Sequence, residues 1–90
     1  MIYFVGGNSV LKDTKRDFYE AVNYGREIEF SYNGKHYFES RDSDHDWYIY
    51  CEETQEKQQF PSANKLLLKA MLEGKNINDI WDDINIVCIL

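Results

Sequence analysis

Residues 27–39 read Glu27-Ile28-Glu29-Phe30-Ser31-Tyr32-Asn33-Gly34-Lys35-His36-Tyr37-Phe38-Glu39. Polar and apolar side chains alternate from Glu27 to Tyr32, the period of a strand with one wet face and one dry face. Asn33-Gly34 supplies the two positive-φ residues that a two-residue type I′ turn requires. The spacing therefore predicts a β-hairpin in which Tyr32 faces Lys35, Phe30 faces Tyr37 and Ile28 faces Glu39. One face of that sheet carries Ile28, Phe30, Tyr32 and Tyr37. The other shows Glu27, Glu29 and His36.

Working outward, Ser40 to His45 reads as a polar loop, and Trp47-Tyr48-Ile49-Tyr50-Cys51-Glu52 as the third strand of an antiparallel meander. On the amino-terminal side, Thr14 followed by Asp17 resembles a capping box, and Phe18, Ala21 and Val22 recur at helical spacing, predicting a helix from Lys15 to Tyr24 stopped by Gly25. Glu53 to Gln59 is charged and amide-rich, the composition of a solvated loop. Pro61-Ser62 then opens a second helix over Ala63 to Glu73, with Leu66, Leu67, Ala70 and Met71 as its apolar stripe and Gly74 as its stop. Asn78 is placed to cap a short turn through Asp79, Ile80 and Trp81. Ile84 to Leu90 reads as a closing strand, and Met1 to Val5, ended by Gly6-Gly7, as a further one. The expected fold is α+β, an antiparallel meander of three central strands with strands added from the termini, packed on one face by two helices.

Ninety residues, 43% hydrophobic and 16% aromatic, make a single domain over residues 1–90. The opening MIYFVGGNSVLKD lacks the basic and long apolar regions of a secretory signal, and the apolar run Ile86 to Leu90 is too short to cross a bilayer, so a cytoplasmic protein is expected. Cys51 and Cys88 sit in apolar, strand-like segments, where free cysteines behave as small hydrophobes. Together with His36 and His45 they show no close-paired zinc spacing. A net charge of -6 opposes direct binding to a phosphate backbone.

The charge is local. From Glu39 to Glu56 the acids Glu39, Asp42, Asp44, Asp46, Glu52, Glu53 and Glu56 face one cation, Arg41; seven negatives less one positive is -6, the formal net charge of the whole chain. Interleaved with Trp47, Tyr48 and Tyr50, these carboxylates suit a cationic partner. The expected contact set is Asp42, Asp44, Asp46, Trp47, Tyr48, Tyr50, Glu52 and Glu53. Trp81 with Asp79, Asp82 and Asp83 forms a smaller patch of the same kind, and two such patches on one side would imitate the spaced phosphates of a duplex. Asp42-Ser43-Asp44-His45-Asp46 also matches the first half of a calcium loop whose twelfth position is Glu53, but Trp47 occupies the sixth, where a glycine is wanted. A looser divalent-cation site on the same aspartates, or a solvated acidic turn that guards a sheet edge, fits the residues too. No nucleophile sits in a recognisable elbow, and Gly6-Gly7 lacks the lysine of a phosphate loop, so neither an enzyme nor a bound cofactor is expected.

The run Gly25 to Lys35, the strand Trp47-Tyr48-Ile49-Tyr50 and the segments Glu73-Gly74-Lys75-Asn76-Ile77 and Ile80-Trp81-Asp82-Asp83-Ile84 resemble a group of small proteins of low-GC Gram-positive bacteria, their phages and mobile elements. The opening MIYFVGGNSVLKD lies outside the resemblance, and the shared motifs are structural, so no catalytic residue is carried across. The resemblance implies a setting in which small acidic proteins inhibit host defence, among them anti-CRISPR proteins that occupy the DNA-binding groove of Cas9-like nucleases. The expected function is a non-enzymatic inhibitor of a basic nucleic-acid-handling protein. The alternatives are a general interaction module, antitoxin-like or homodimeric, and a divalent-metal protein.

Overall fold

The hairpin forms with the register its alternation demands. A computed structural model describes residues 13–90; the strand expected at Met1 to Val5 lies outside them. Strand β1, Ile28–Tyr32, pairs antiparallel with β2, Lys35–Ser43, and places Ile28 opposite Glu39, Phe30 opposite Tyr37 and Tyr32 opposite Lys35. Asn33 and Gly34 turn the chain at φ 50° and 79°, the left-handed pair of a type I′ turn.

Strand β2 runs on through Ser43, and Asp44-His45 alone makes the next turn, so the polar loop expected over residues 40–45 is mostly strand. β3, Asp46–Cys51, pairs with β2 and alternates half-buried and buried positions. The amide-rich stretch expected to be a loop contains β4, Lys57–Phe60, paired with β3. An edge strand with one open face has little apolar surface to bury, so its composition reads as a loop. β7, Ile84–Ile89, pairs with β1. The five-stranded antiparallel sheet therefore has the order β4-β3-β2-β1-β7.

Helix α1 spans Thr14–Asn23, and its cap is Asp13, whose side chain accepts from the Arg16 amide; Thr14, the expected cap, is inside the helix and buried. Gly25 ends it at φ 72°. Helix α2, Ala63–Lys69, is capped by Ser62 but stops short of the expected Glu73. Ala70 turns extended at φ -59°, ψ 137°. The next residues form a miniature hairpin, β5 Met71–Leu72 against β6 Lys75–Asn76, around Glu73-Gly74 at φ 51° and 79°. Two short 3-10 turns, Ile77–Asp79 and Trp81–Asp83, lead into β7. Asn76, not Asn78, caps the first of them; Asn78 accepts from the Tyr19 hydroxyl and the Trp81 indole and donates to the Leu67 carbonyl.

Both helices pack on the same side of the sheet. Phe18, Ala21 and Val22 of α1 and Leu66 and Leu67 of α2 join Ile28, Phe30, Tyr37, Trp47, Ile49, Ile84 and Ile86 in one core. Phe18 meets Phe30 edge-on at 5.2 Å, and Trp81 closes against Phe18 at 5.2 Å. The opposite side of the sheet has no helix over it among the described residues.

Candidate partner-binding face

The period-two alternation of β2 and β3 sends Tyr37, Glu39, Trp47, Ile49 and Cys51 toward the helices, and Phe38, Ser40, Tyr48 and Tyr50 away from them. On that outer face Phe38 sits directly opposite Tyr50 on β3 and opposite Glu29 on β1. Ser40 faces Tyr48, and β4 brings Lys57 beside Tyr50 and Gln59 beside Tyr48. Phe38, Tyr48 and Tyr50 are each half-buried, and the register sets them side by side as the aromatic centre of this face.

Carboxylates surround it. Glu29 is exposed on β1, and Glu27, just before that strand, accepts from the Ser40 hydroxyl at 3.0 Å. At one end of β3 lie Asp42, Asp44 and Asp46; at the other lie Glu52 and Glu53. Among the described residues, Lys57 is the one lysine that the ladder places on this face; its ammonium lies 4.3 Å from the centre of the Tyr48 ring and 3.7 Å from Asp42. A cation over a ring at that distance is attracted by the ring quadrupole. The tyrosine face thus already holds one ammonium of its own.

The expected contact set divides in the structure. Tyr48 and Tyr50 reach the outer face as expected, but Trp47 is 6% exposed and belongs to the core, because it occupies the inward phase of the same strand. The acids are not one cluster. Asp42, Asp44 and Asp46 crowd the β2–β3 turn, whereas Glu52 and Glu53 stand at the far end of β3, about 20 Å away for six residues at ~3.3 Å each. That separation removes Glu53 as the twelfth ligand of a calcium loop. Among the described residues no group of three or more His, Cys, Asp or Glu side chains comes together to hold a metal ion.

Several of these acids already have partners. Asp44 meets Arg41 at 2.9 Å, Asp46 accepts from Gln59 at 3.3 Å, and Glu53 accepts from the His36 amide at 2.8 Å and lies 2.7 Å from its Nδ1. Hydrogen bonding to His36 holds the Glu53 carboxyl down at about 2, and the same bond raises His36 above its ordinary value. The smaller patch at Asp79, Asp82 and Asp83 does not extend the acidic tip. Asp83 shares a groove with Tyr32, Asn33 and Lys75 at the β1–β2 turn, the opposite end of β2 from Asp44.

Glu39 departs most from expectation. Counted among the exposed acids in the sequence, it is fully buried, and neither carboxyl oxygen has a hydrogen-bond partner. Burial pushes its pKa up to about 8; the Glu27 charge adds to the rise and Arg41 opposes it. Phe38, Glu27 and Glu29 are the residues of the face that the contact set left out. Their signal was present in the alternation, since continuing the period from Tyr37 places Phe38 beside Glu29 on the wet side.

A second concavity, of about 330 Å³, opens between the two type I′ turns and is lined by Lys35, Tyr37, Cys51, Glu56, Gln58 and Glu73 among others. Its charges are largely satisfied internally: Glu73 accepts from Asn33 at 2.9 Å and Lys35 at 3.1 Å, and Gln58 spends its amide on the Met71 backbone at 2.9 and 2.6 Å. It serves to tie the turns together. No protein-family model, curated protein or solved structure matches this chain.

Proposed function

We propose that the protein is a non-enzymatic binding module whose uncovered sheet face docks a basic partner protein. The observation that carries this reading is the aromatic centre Phe38, Tyr48 and Tyr50 on the side of the sheet away from the helices, with carboxylates on several sides. Protein interfaces concentrate their binding energy in central aromatic anchors and use the charged surround for orientation and rate. Tyr48 with Lys57 over its ring is a small intramolecular example of the contact a partner lysine or arginine would make.

The specific form favoured by the resemblance is inhibition of a nucleic-acid-handling protein, a Cas9-like nuclease being the type of target, through the lysines and arginines that hold phosphate. The acids that serve this best are Glu29, Asp42, Asp46 and Glu52, around the tyrosines, with Trp47 a support behind them. The test compares capture from a low-GC Gram-positive lysate at low salt on the wild-type chain and on a Tyr48→Ala, Tyr50→Ala, Glu29→Lys variant, followed by binding of the purified captured protein. A basic nucleic-acid-binding protein is expected on the wild type alone, with affinity falling at least tenfold between about 50 and 200 mM salt. Equal capture by both proteins, or binding indifferent to salt, would overturn the reading.

A further inference from the structure

A carboxyl group sealed from water with neither oxygen bonded is the largest unexplained feature of the core. Glu39 lies on the middle strand of the sheet with Ile28 on one side and Ile49 on the other, and the residues that α1 and α2 bury are apolar apart from Thr14. The charged groups acting on it are Glu27, just before β1, and Arg41, two residues along β2 and on the same face of the strand. Arg41 lies against the backbone of Gly25, where an added Cβ would meet the guanidinium at 2.8 Å, and over the ring of Trp47 at 5.1 Å. It spends its charge on Asp44 at 2.9 Å, a carboxylate 83% exposed.

These two carboxyl groups compete unequally for one guanidinium. An ion pair with an exposed aspartate contributes little, because water serves that carboxylate nearly as well. An ionised carboxylate in the core has no water and no donor, so it gains far more from the same cation. As long as Glu39 keeps its proton, Arg41 is free to hold the turn through Asp44. We propose that ionisation of Glu39 draws Arg41 inward from Asp44 to the core carboxylate, making Glu39 a proton-controlled latch on the β2–β3 turn. The raised affinity of Glu39 for its proton sets the transition in a range close to neutral pH. Arg41 leaves the Trp47 ring as it moves, and Asp44 is released as an unpaired anion beside Asp42 and Asp46. The consequence for partner binding, a more strongly anionic turn at alkaline pH, rests on the function proposed above, but the latch itself does not.

The experiment therefore uses the chain alone. Side-chain carboxyl carbons and the Trp47 indole N–H are followed by nuclear magnetic resonance from pH 5 to pH 9.5 in the wild type, in Glu39→Gln and in Arg41→Met. In the wild type, Glu39, Asp44 and the Trp47 indole are expected to share one inflection near pH 8. Glu39→Gln is expected to abolish the step at Asp44 and Trp47 while leaving the spectrum otherwise folded. Arg41→Met, which keeps an apolar stem against Trp47, is expected to move the Glu39 inflection upward and leave Asp44 without a step in that range. The latch is overturned if Glu39 titrates near its ordinary value, if its step leaves Asp44 and Trp47 unmoved, or if the Asp44 step survives either substitution.

Discussion

A carboxyl group with no solvent and no hydrogen-bond donor keeps its proton until the cost of burying a charge is met elsewhere. For Glu39 the sign is fixed by the direction in which its pKa moves, from 4.5 up to about 8. Between those values the folded state holds a proton that the unfolded state has lost, so the residue's contribution to stability is fully present below pH 4.5 and declines as pH rises through 8. Each tenfold change in proton affinity is worth about 1.4 kcal/mol, which makes the loss on the order of several kcal/mol. Glu39→Gln is expected to change the unfolding free energy little at pH 5 and to raise it by about 2 kcal/mol or more at pH 9, measured by urea denaturation at both. The pair His36 and Glu53 acts in other windows. Raised above 6.5, His36 favours the fold below that value and stops doing so as pH climbs through its folded pKa; Glu53, lowered to about 2, favours it above 4.5 and stops as pH falls toward 2. The His36 ring is expected to titrate above 6.5, and nearer to 6.5 in Glu53→Gln, by nuclear magnetic resonance. At this scale the sequence was a mixed guide. Register placed Glu39 opposite Ile28 correctly, yet its charge invited counting it among surface acids, because composition cannot say which phase of a strand is dry.

Among the elements, the two turns around Asn33-Gly34 and Glu73-Gly74 adopt nearly the same left-handed pair of angles, and Glu73 bonds to both Asn33 and Lys35 of the other hairpin. Gly34→Ala and Gly74→Ala each place a Cβ in open space at φ 79°, so their cost is backbone strain alone, about 1 kcal/mol apiece by thermal unfolding. Gln58 imitates a strand partner for Met71, donating to its carbonyl and accepting from its amide. Gln58→Ala is expected to cost about 1–2 kcal/mol and to speed hydrogen exchange of the Met71 amide. Asn33-Gly34 announced its turn because asparagine and glycine tolerate positive φ. Glu73-Gly74 did not, since a glutamate following Leu66, Leu67, Ala70 and Met71 continues a helical pattern. What ends α2 is the extended Ala70 and the pairing of β5 with β6, a choice with no local mark. β4 was missed for the complementary reason: Lys57, Gln58 and Gln59 look solvated because the edge they form largely is.

Taken as a whole, the molecule keeps its dry residues on one side of the sheet and most of its usable aromatic surface on the other. Thiol chemistry reports on the integrity of that division. Cys51 is buried and Cys88 half-buried, both as free thiols. A thiol reagent is expected to modify Cys88 in the folded protein and Cys51 much more slowly, the slower reaction accelerating in urea as the core opens. Half of the face could be inferred from the sequence: Tyr48 and Tyr50 came from the strand pattern, whereas Phe38 and Glu29 needed the neighbouring strands to bring them into line. The pairing of β7 with β1 carries a cost in time. A ribosome makes β1 early and β7 after every other strand, so the long side of β1 facing away from β2 waits with its backbone donors and acceptors unmet while the rest of the chain emerges. Nascent copies translated side by side are therefore most vulnerable to cross-association along Ile28–Tyr32, and the arrival of Ile84–Ile89 ends that vulnerability.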